Sequence, residues 1–190
     1  NVADELTYTA HDLDDGLRAG MITPSQLEGI AIWEIVNESI GRRRSETLEE
    51  LTRHQIIRRL INIETTDLIH SIDRYLRKSN VKTALEIQQL PYNVVGFSED
   101  MYRRNRELKD FLFNNLYRHF RVVRMAAKSE RIVSDLFSFY QATPASLPPA
   151  IQDQISERGL ERTICDYIAG MTDRFAIEEY DRLFSADVLP

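Results

Sequence analysis

Apolar residues return every three or four positions between Leu51 and Leu76, as Leu51, Ile56, Ile57, Leu60, Ile61, Leu68, Ile69, Ile72, Tyr75 and Leu76. That rhythm matches the 3.6-residue period of an amphipathic helix and fits no strand. Thr47-Leu48-Glu49-Glu50 offers a capping box at its start. The run therefore predicts one helix of about thirty residues, roughly 45 Å long, ending near Arg77. Such a rod is longer than the usual globular helix. It has to run across the domain or along a subunit contact.

The same period governs the rest of the chain, and no convincing strand alternation occurs. Residues 1 to about 17 predict a first helix, stopped near Gly16 and Gly20. Thr23-Pro24-Ser25-Gln26 is a helix start, with Thr23 as N-cap and Pro24 at the first helical position. That helix carries Leu27, Ile30, Ile32, Trp33, Ile35 and Val36 and ends near Gly41, before the basic linker Arg42-Arg43-Arg44. After an irregular stretch broken by Pro91 and Gly96, Ser98-Glu99-Asp100 caps a second long helix to about Tyr117. Another helix runs from about Arg124 to Tyr140. Pro144, Pro148 and Pro149 stiffen a connection over 142–150, and a short helix ends at Gly159. A final helical segment covers Leu160 to Phe184, with Gly170 inside it. The reading is all-α, with residues 1–190 as one helical domain.

Composition narrows the function classes. The 43% hydrophobic and 28% charged content are those of an ordinary globular chain, and a net charge of −6 confers no general affinity for nucleic acid. Cys165 is the only cysteine, so no internal disulfide can form, which favours a reducing compartment. No apolar run approaches the ~18–20 residues that span a bilayer, and no signal-peptide pattern occurs at the start. The expectation is a cytoplasmic protein without a membrane partner. Nucleotide glycine loops, zinc-type Cys/His spacing and serine-nucleophile motifs are absent from the sequence.

Charge is unevenly placed. The first sixteen residues hold Asp4, Glu5, Asp12, Asp14 and Asp15 and no Lys or Arg. From Met101 to Arg131 nine Lys and Arg face only Glu107, Asp110 and Glu130. These helices could pair by charge or divide a metal and phosphates between them; solvated faces with i,i+4 pairs are the plainer reading. Asp4, Tyr8 and Asp12 stand four residues apart. In a helix they stay within an arc of roughly 80° and climb about 12 Å. One ion cannot bridge Asp4 and Asp12, but an elongated ligand fits the stripe. On composition alone Asp4 is an acid favoured near a helix N-terminus. His11 lies seven residues from Asp4, too far along the helix to share its ion; it reads as a hydrogen-bonding neighbour. Asp14 and Asp15 read as solvated charges.

The opening run Ala3-Asp4-Glu5-Leu6-Thr7-Tyr8-Thr9-Ala10-His11-Asp12 resembles the last metal-ligand motif of the HD-domain deoxynucleoside triphosphate triphosphohydrolases, the dGTPase-like enzymes. Two further stretches are similar to later parts of bacterial members. They are Phe111-Leu112-Phe113-Asn114-Asn115-Leu116-Tyr117-Arg118-His119, and Cys165-Asp166-Tyr167-Ile168-Ala169-Gly170-Met171-Thr172-Asp173-Arg174-Phe175-Ala176. The resemblance covers nearly the whole chain but only the C-terminal half of the family's catalytic chain, with the motif in residues 1–20.

This resemblance implies an HD-domain-like helical bundle with two long helices. It also implies hydrolysis of a deoxynucleoside triphosphate to deoxynucleoside and triphosphate. Asp4 would be a ligand of a divalent ion, Mg, Mn or similar. Tyr8 would pack on the sugar, where a ribose 2′-OH clashes, and Asp12 would accept from its 3′-OH. Lys109, Tyr117 and His119 would lie beside phosphate or sugar. Further implied are a homo-oligomer and a second deoxynucleotide as effector. The family's first His and paired His-Asp do not occur here: His11, His54, His70 and His119 are the only histidines, and none stands in that pattern. One carboxylate holds an ion weakly, so this chain alone is expected to be inactive. The alternative is a non-catalytic helical regulatory or oligomerisation module that binds nucleotide or polyanion. The Asp173-Arg174 pair is expected to be structural.

Overall fold

The structure, a computed structural model, describes residues 2–42 and 48–187. These residues are all-α, with no strand among them. They form two compact units, residues 1–119 and residues 120–190.

In the first unit, α1 (Val2–Arg18) leads through a 3₁₀ turn (Pro24–Leu27) to α2 (Ala31–Ser39). The thirty-residue α3 (Glu50–Ser79), the short α4 (Ala84–Gln88) and α5 (Glu99–Leu112) follow. Phe113–Tyr117 then forms a stretch of π-helix. The long rod expected from the apolar rhythm is α3. It ends where Asn80 adopts a left-handed φ of 55°, a conformation Asn tolerates better than most side chains. The capping residue Thr47 and the linker residues Arg43 and Arg44 lie outside the described residues.

α1 is the central element of this unit. Leu6, Ala10 and Leu13 are buried along one stripe, as the helical period requires. Ala10 and Leu13 join Ile56, Ile57 and Leu60 of α3 and Leu108, Leu112 and Leu116 of the α5–π segment in one core, which Trp33 and Val36 of α2 complete. Gly16 marks the closest approach. A Cβ there would come within 2.8 Å of Ile22 Cδ1 and 3.2 Å of Leu116 Cδ1. Asp14, expected to be solvated, instead accepts from Arg53 Nη1 at 2.9 Å, and the Arg53 side chain is 7% exposed. Partnering a buried guanidinium is a stronger demand than solvating a surface carboxylate.

The helix expected from Thr23 to Gly41 is interrupted. Thr23 N–H donates to Gln26 Oε1 at 2.8 Å, so the box forms in part, but the start yields only a 3₁₀ turn. Gly29 then takes φ 91°, where a helix cannot continue, and its N–H donates to Glu34 Oε1 at 3.0 Å. The helix expected from Ser98 to Tyr117 also changes character, becoming π-helical after Leu112.

The second unit begins with α6 (Phe120–Ala142), whose 23 residues extend the helix expected from about Arg124 to Tyr140 at both ends. A 3₁₀ turn (Pro144–Ser146), α7 (Pro149–Gln152), α8 (Ile155–Arg158), α9 (Leu160–Ala169) and α10 (Asp173–Phe184) follow. Gly170 ends α9 instead of being absorbed, because Thr172 caps a new helix by accepting from Phe175 N–H at 3.2 Å. Arg174 pairs with Glu178 one turn on, at 2.7 Å, and not with Asp173. Ile132, Leu136, Tyr140, Leu147 and Ile164 form the core.

Two buried polar groups generate predictions. Glu64 on α3 is wholly buried, and neither its carboxylate oxygens nor Asn105 Oδ1 on α5 has a hydrogen-bond partner among the described residues. Burial pushes the Glu64 carboxyl up to about 8, against a smaller opposing pull from the Asn105 side chain. The folded state therefore holds a proton that the unfolded chain releases above about pH 4.3. Stability is expected to fall as pH rises from there to about 8 and to level off beyond. Glu64→Gln should flatten this slope and raise stability at pH 8 by on the order of 2–4 kcal/mol. Urea unfolding at pH 5 and pH 8 checks both; equal pH slopes in the two proteins would refute the assignment. In the second unit, buried Tyr140 donates to Glu179 Oε1 at 2.6 Å. Tyr140→Phe should cost roughly 1–3 kcal/mol, since Glu179 loses a donor inside the fold; thermal unfolding within error of wild type would contradict this.

Candidate active site

On the far side of α1 from its buried stripe runs a second one. At roughly 100° per residue, Asp4, Tyr8 and Asp12 lie well away from Leu6, Ala10 and Leu13 around the helix axis. Asp4 is exposed, Tyr8 is 68% exposed and Asp12 is half-buried. Asp4 and Tyr8 line a cavity of about 610 Å³ between α1 and the α5–π segment. Its opposite wall includes Lys109, Phe113 and Tyr117. The fold thus brings together residues more than a hundred positions apart in the chain.

Two contacts cross this cleft. The Lys109 ammonium pairs with the Glu5 carboxylate. Tyr117 Oη donates to Asp12 Oδ2. Asp12 is not itself part of the cavity wall but is held at its edge by this bond. Burial, the hydrogen bond to Asp12 and the Asp12 charge together push the Tyr117 phenol up to about 12, so it remains a donor at neutral pH. Partial burial pushes Lys109 down from the usual lysine value.

Sequence reasoning left several wall residues without a role: Glu5, Thr9, Asp110 and Leu112. Glu5 had a signal, the acidic bias of α1 opposite a basic α5. Thr9 and Leu112 had none, because both read as packing residues. Glu5, Lys109 and Asp110 also border a smaller cavity of about 350 Å³ with Phe97 and Tyr102 in its wall. The expected His119 is half-buried just past the π stretch, where its backbone N–H donates to Leu116 O at 3.0 Å; it is not among the residues lining either cavity. His11 is exposed on α1.

The donor set can be tested against a divalent ion. Asp4 presents a hard oxygen ligand to the cavity, which suits Mg or Mn. Glu5, the nearest carboxylate in sequence, is engaged by Lys109. No group of three or more His, Cys, Asp or Glu side chains able to hold an ion occurs among the described residues. The described residues therefore present carboxylates to this cavity but no full coordination sphere.

Comparison with known proteins agrees with this architecture. Residues 95–182 match the family described as phosphohydrolase-associated domain. The protein named deoxyguanosinetriphosphate triphosphohydrolase-like protein from Geobacter sulfurreducens is 45% identical over 97% of this chain and 48% of its own length. Proteins of the same name from Ralstonia pickettii and Nitrosomonas europaea are 41% and 38% identical, over 100% and 97% of this chain and 48% and 49% of theirs. The chain spans about half the length of the curated relatives it matches. With an all-α fold and this identity along its whole length, the chain belongs to the deoxyguanosinetriphosphate triphosphohydrolase-like family.

Proposed function

We propose that this chain supplies the sugar- and phosphate-facing wall of a deoxynucleoside triphosphate triphosphohydrolase site, which releases deoxynucleoside and intact triphosphate. The observation that supports this best is the shared cavity. Three carboxylates (Asp4, Glu5 and Asp110), two phenols and an ammonium, from distant parts of the sequence, line one opening of about 610 Å³, within the range of small-molecule sites.

Each group has a task in that reading. Lys109 pairs with the negative triphosphate, exchanging Glu5 for phosphate oxygens, and offsets charge that builds on the leaving group. Tyr8 and Tyr117 flank the sugar with flat rings. Asp12 is an acceptor poised for the 3′-OH once the Tyr117 hydroxyl shares or yields it. Fixing sugar and phosphate on one rigid helix pair holds the scissile bond in place. Asp4 would hold one corner of a divalent ion, which when bound acidifies water and polarises phosphoryl oxygens. Its remaining donors would come from outside the described residues. Catalysis is accordingly expected only where those donors join Asp4. A homo-oligomer and a second deoxynucleotide as effector remain part of the proposal, since a site missing several donors can be completed by residues from elsewhere.

A second reading has one observation in its favour. Most of α6 from Phe120 to Arg131 is exposed and carries Arg121, Arg124, Lys128 and Arg131. This suits a helical module that binds polyanions. Salt separates the two readings, because a basic helix loses any polyanion steeply as salt rises, whereas a sugar pocket discriminates between nucleotides at fixed salt.

Lys109→Ala is expected to weaken tripolyphosphate or deoxynucleotide binding about tenfold or more; titration calorimetry giving an unchanged affinity would remove Lys109 from the site. Tyr8→Ala should narrow the preference for deoxynucleotide over ribonucleotide, and equal discrimination by wild type and variant would sink the sugar assignment. For a protein with the full donor set, Asp4→Ala should abolish release of triphosphate, read by product chromatography. Retained turnover would exclude Asp4 as a ligand.

A further inference from the structure

The smaller cavity shares Glu5, Lys109 and Asp110 with the larger one, but the rest of its wall is different in kind. Val2, Val95 and the rings of Phe97 and Tyr102 give it an apolar face, and Tyr102 is 56% exposed. Its charges are matched in pairs. Lys109 is held by Glu5, and Arg106 faces Asp110 at 4.0 Å. A volume of about 350 Å³ lies at the lower end of the small-molecule range.

One polar group in this wall is unmatched. Asn105 is 6% exposed, and its Oδ1 has no hydrogen-bond partner among the described residues. A buried acceptor left without a donor is costly, and native folds leave few of them. The frame around it is fixed from behind. Ser98 N–H donates to Asp67 Oδ2 at 2.8 Å, and Ser98 Oγ donates to Asp67 Oδ1 at 2.6 Å. Through this double bond α3 pins the joint between residues 95–97 and α5, the two segments that carry most of the wall.

We propose that the smaller cavity is a binding site for a neutral nucleobase, whose flat face stacks on Tyr102 and Phe97 and whose edge N–H donates to Asn105 Oδ1. The paired charges leave no surplus with which to attract an anion. The exposed ring supplies a stacking surface that a base of any kind satisfies. A carboxamide presents an acceptor and a donor side by side, the pattern that complements the adenine edge. A free base, a nucleoside and the base end of a nucleotide share this chemistry. The site is independent of the function proposed above, which concerns the larger cavity.

Titration calorimetry with adenine, deoxyadenosine and deoxyadenosine monophosphate tests the site. The three should bind with affinities within about threefold of one another, because paired surface charges add little. Tyr102→Ala should weaken deoxyadenosine binding about fivefold or more. The dimethylamino analogue of deoxyadenosine, which has no N–H on the base, should bind about three- to tenfold more weakly than deoxyadenosine itself. Asn105→Leu should erase that difference; if it does not fold, the exposed Tyr102 and the analogue decide. No binding of deoxyadenosine, an affinity unchanged in Tyr102→Ala, or a monophosphate more than about tenfold tighter than the nucleoside overturns the proposal. So does binding lost in Tyr8→Ala and kept in Tyr102→Ala, since that places the base in the larger cavity. Tripolyphosphate binding and its loss in Lys109→Ala report on the larger cavity, so each reading fails by its own measurement.

Discussion

Everything in the first unit depends on one helix serving two environments. α1 buries Leu6, Ala10 and Leu13 against α3 and α5, and this packing fixes the rotation of the helix about its own axis. Once that rotation is set, the stripe carrying Asp4, Tyr8 and Asp12 has no freedom of its own. It is turned away from the core, with Asp4 and Tyr8 lining the cleft and Asp12 held at its edge by Tyr117. The buried Arg53–Asp14 pair and the close fit at Gly16 hold the far end of the helix in the same register.

The opposite wall follows similar logic. Leu108, Leu112 and Leu116 are buried, which turns Lys109, Phe113 and Tyr117 toward α1. Two of the groups assigned to a ligand are occupied by internal partners, Lys109 by Glu5 and Asp12 by Tyr117. A ligand that displaces them exchanges one charge-assisted contact for another, so binding depends on the difference between two similar interactions.

Much of this was legible beforehand, for identifiable reasons. The apolar rhythm of α3 survives any tertiary context, because a rod that long has to bury one stripe. The four-residue spacing of Asp4, Tyr8 and Asp12 is likewise a property of the helix itself. Less legible were interruptions whose cause is non-local or conformational. Gly29 and Gly170 divide helices that periodicity would run together, since a glycine reads the same whether it is tolerated or used as a stop. Asp14 looked solvated because Arg53, its partner, is 39 residues away. Glu64 and Asn105 gave no warning at all: a polar residue within a charged helix is indistinguishable from a surface one until the neighbouring helix covers it.

The sequence by itself determined an all-α chain, the length of α3 and the stripe of acids and phenol on α1. These are local consequences of a 3.6-residue period and of side-chain polarity. Only the tertiary structure decided that α1 lies against α5, that Lys109 and Tyr117 complete the wall, that the helix widens at Phe113 and that His119 is not among the residues lining either cavity. Those outcomes depend on which apolar stripes meet, and a helix seen alone carries its face without naming the surface that will cover it.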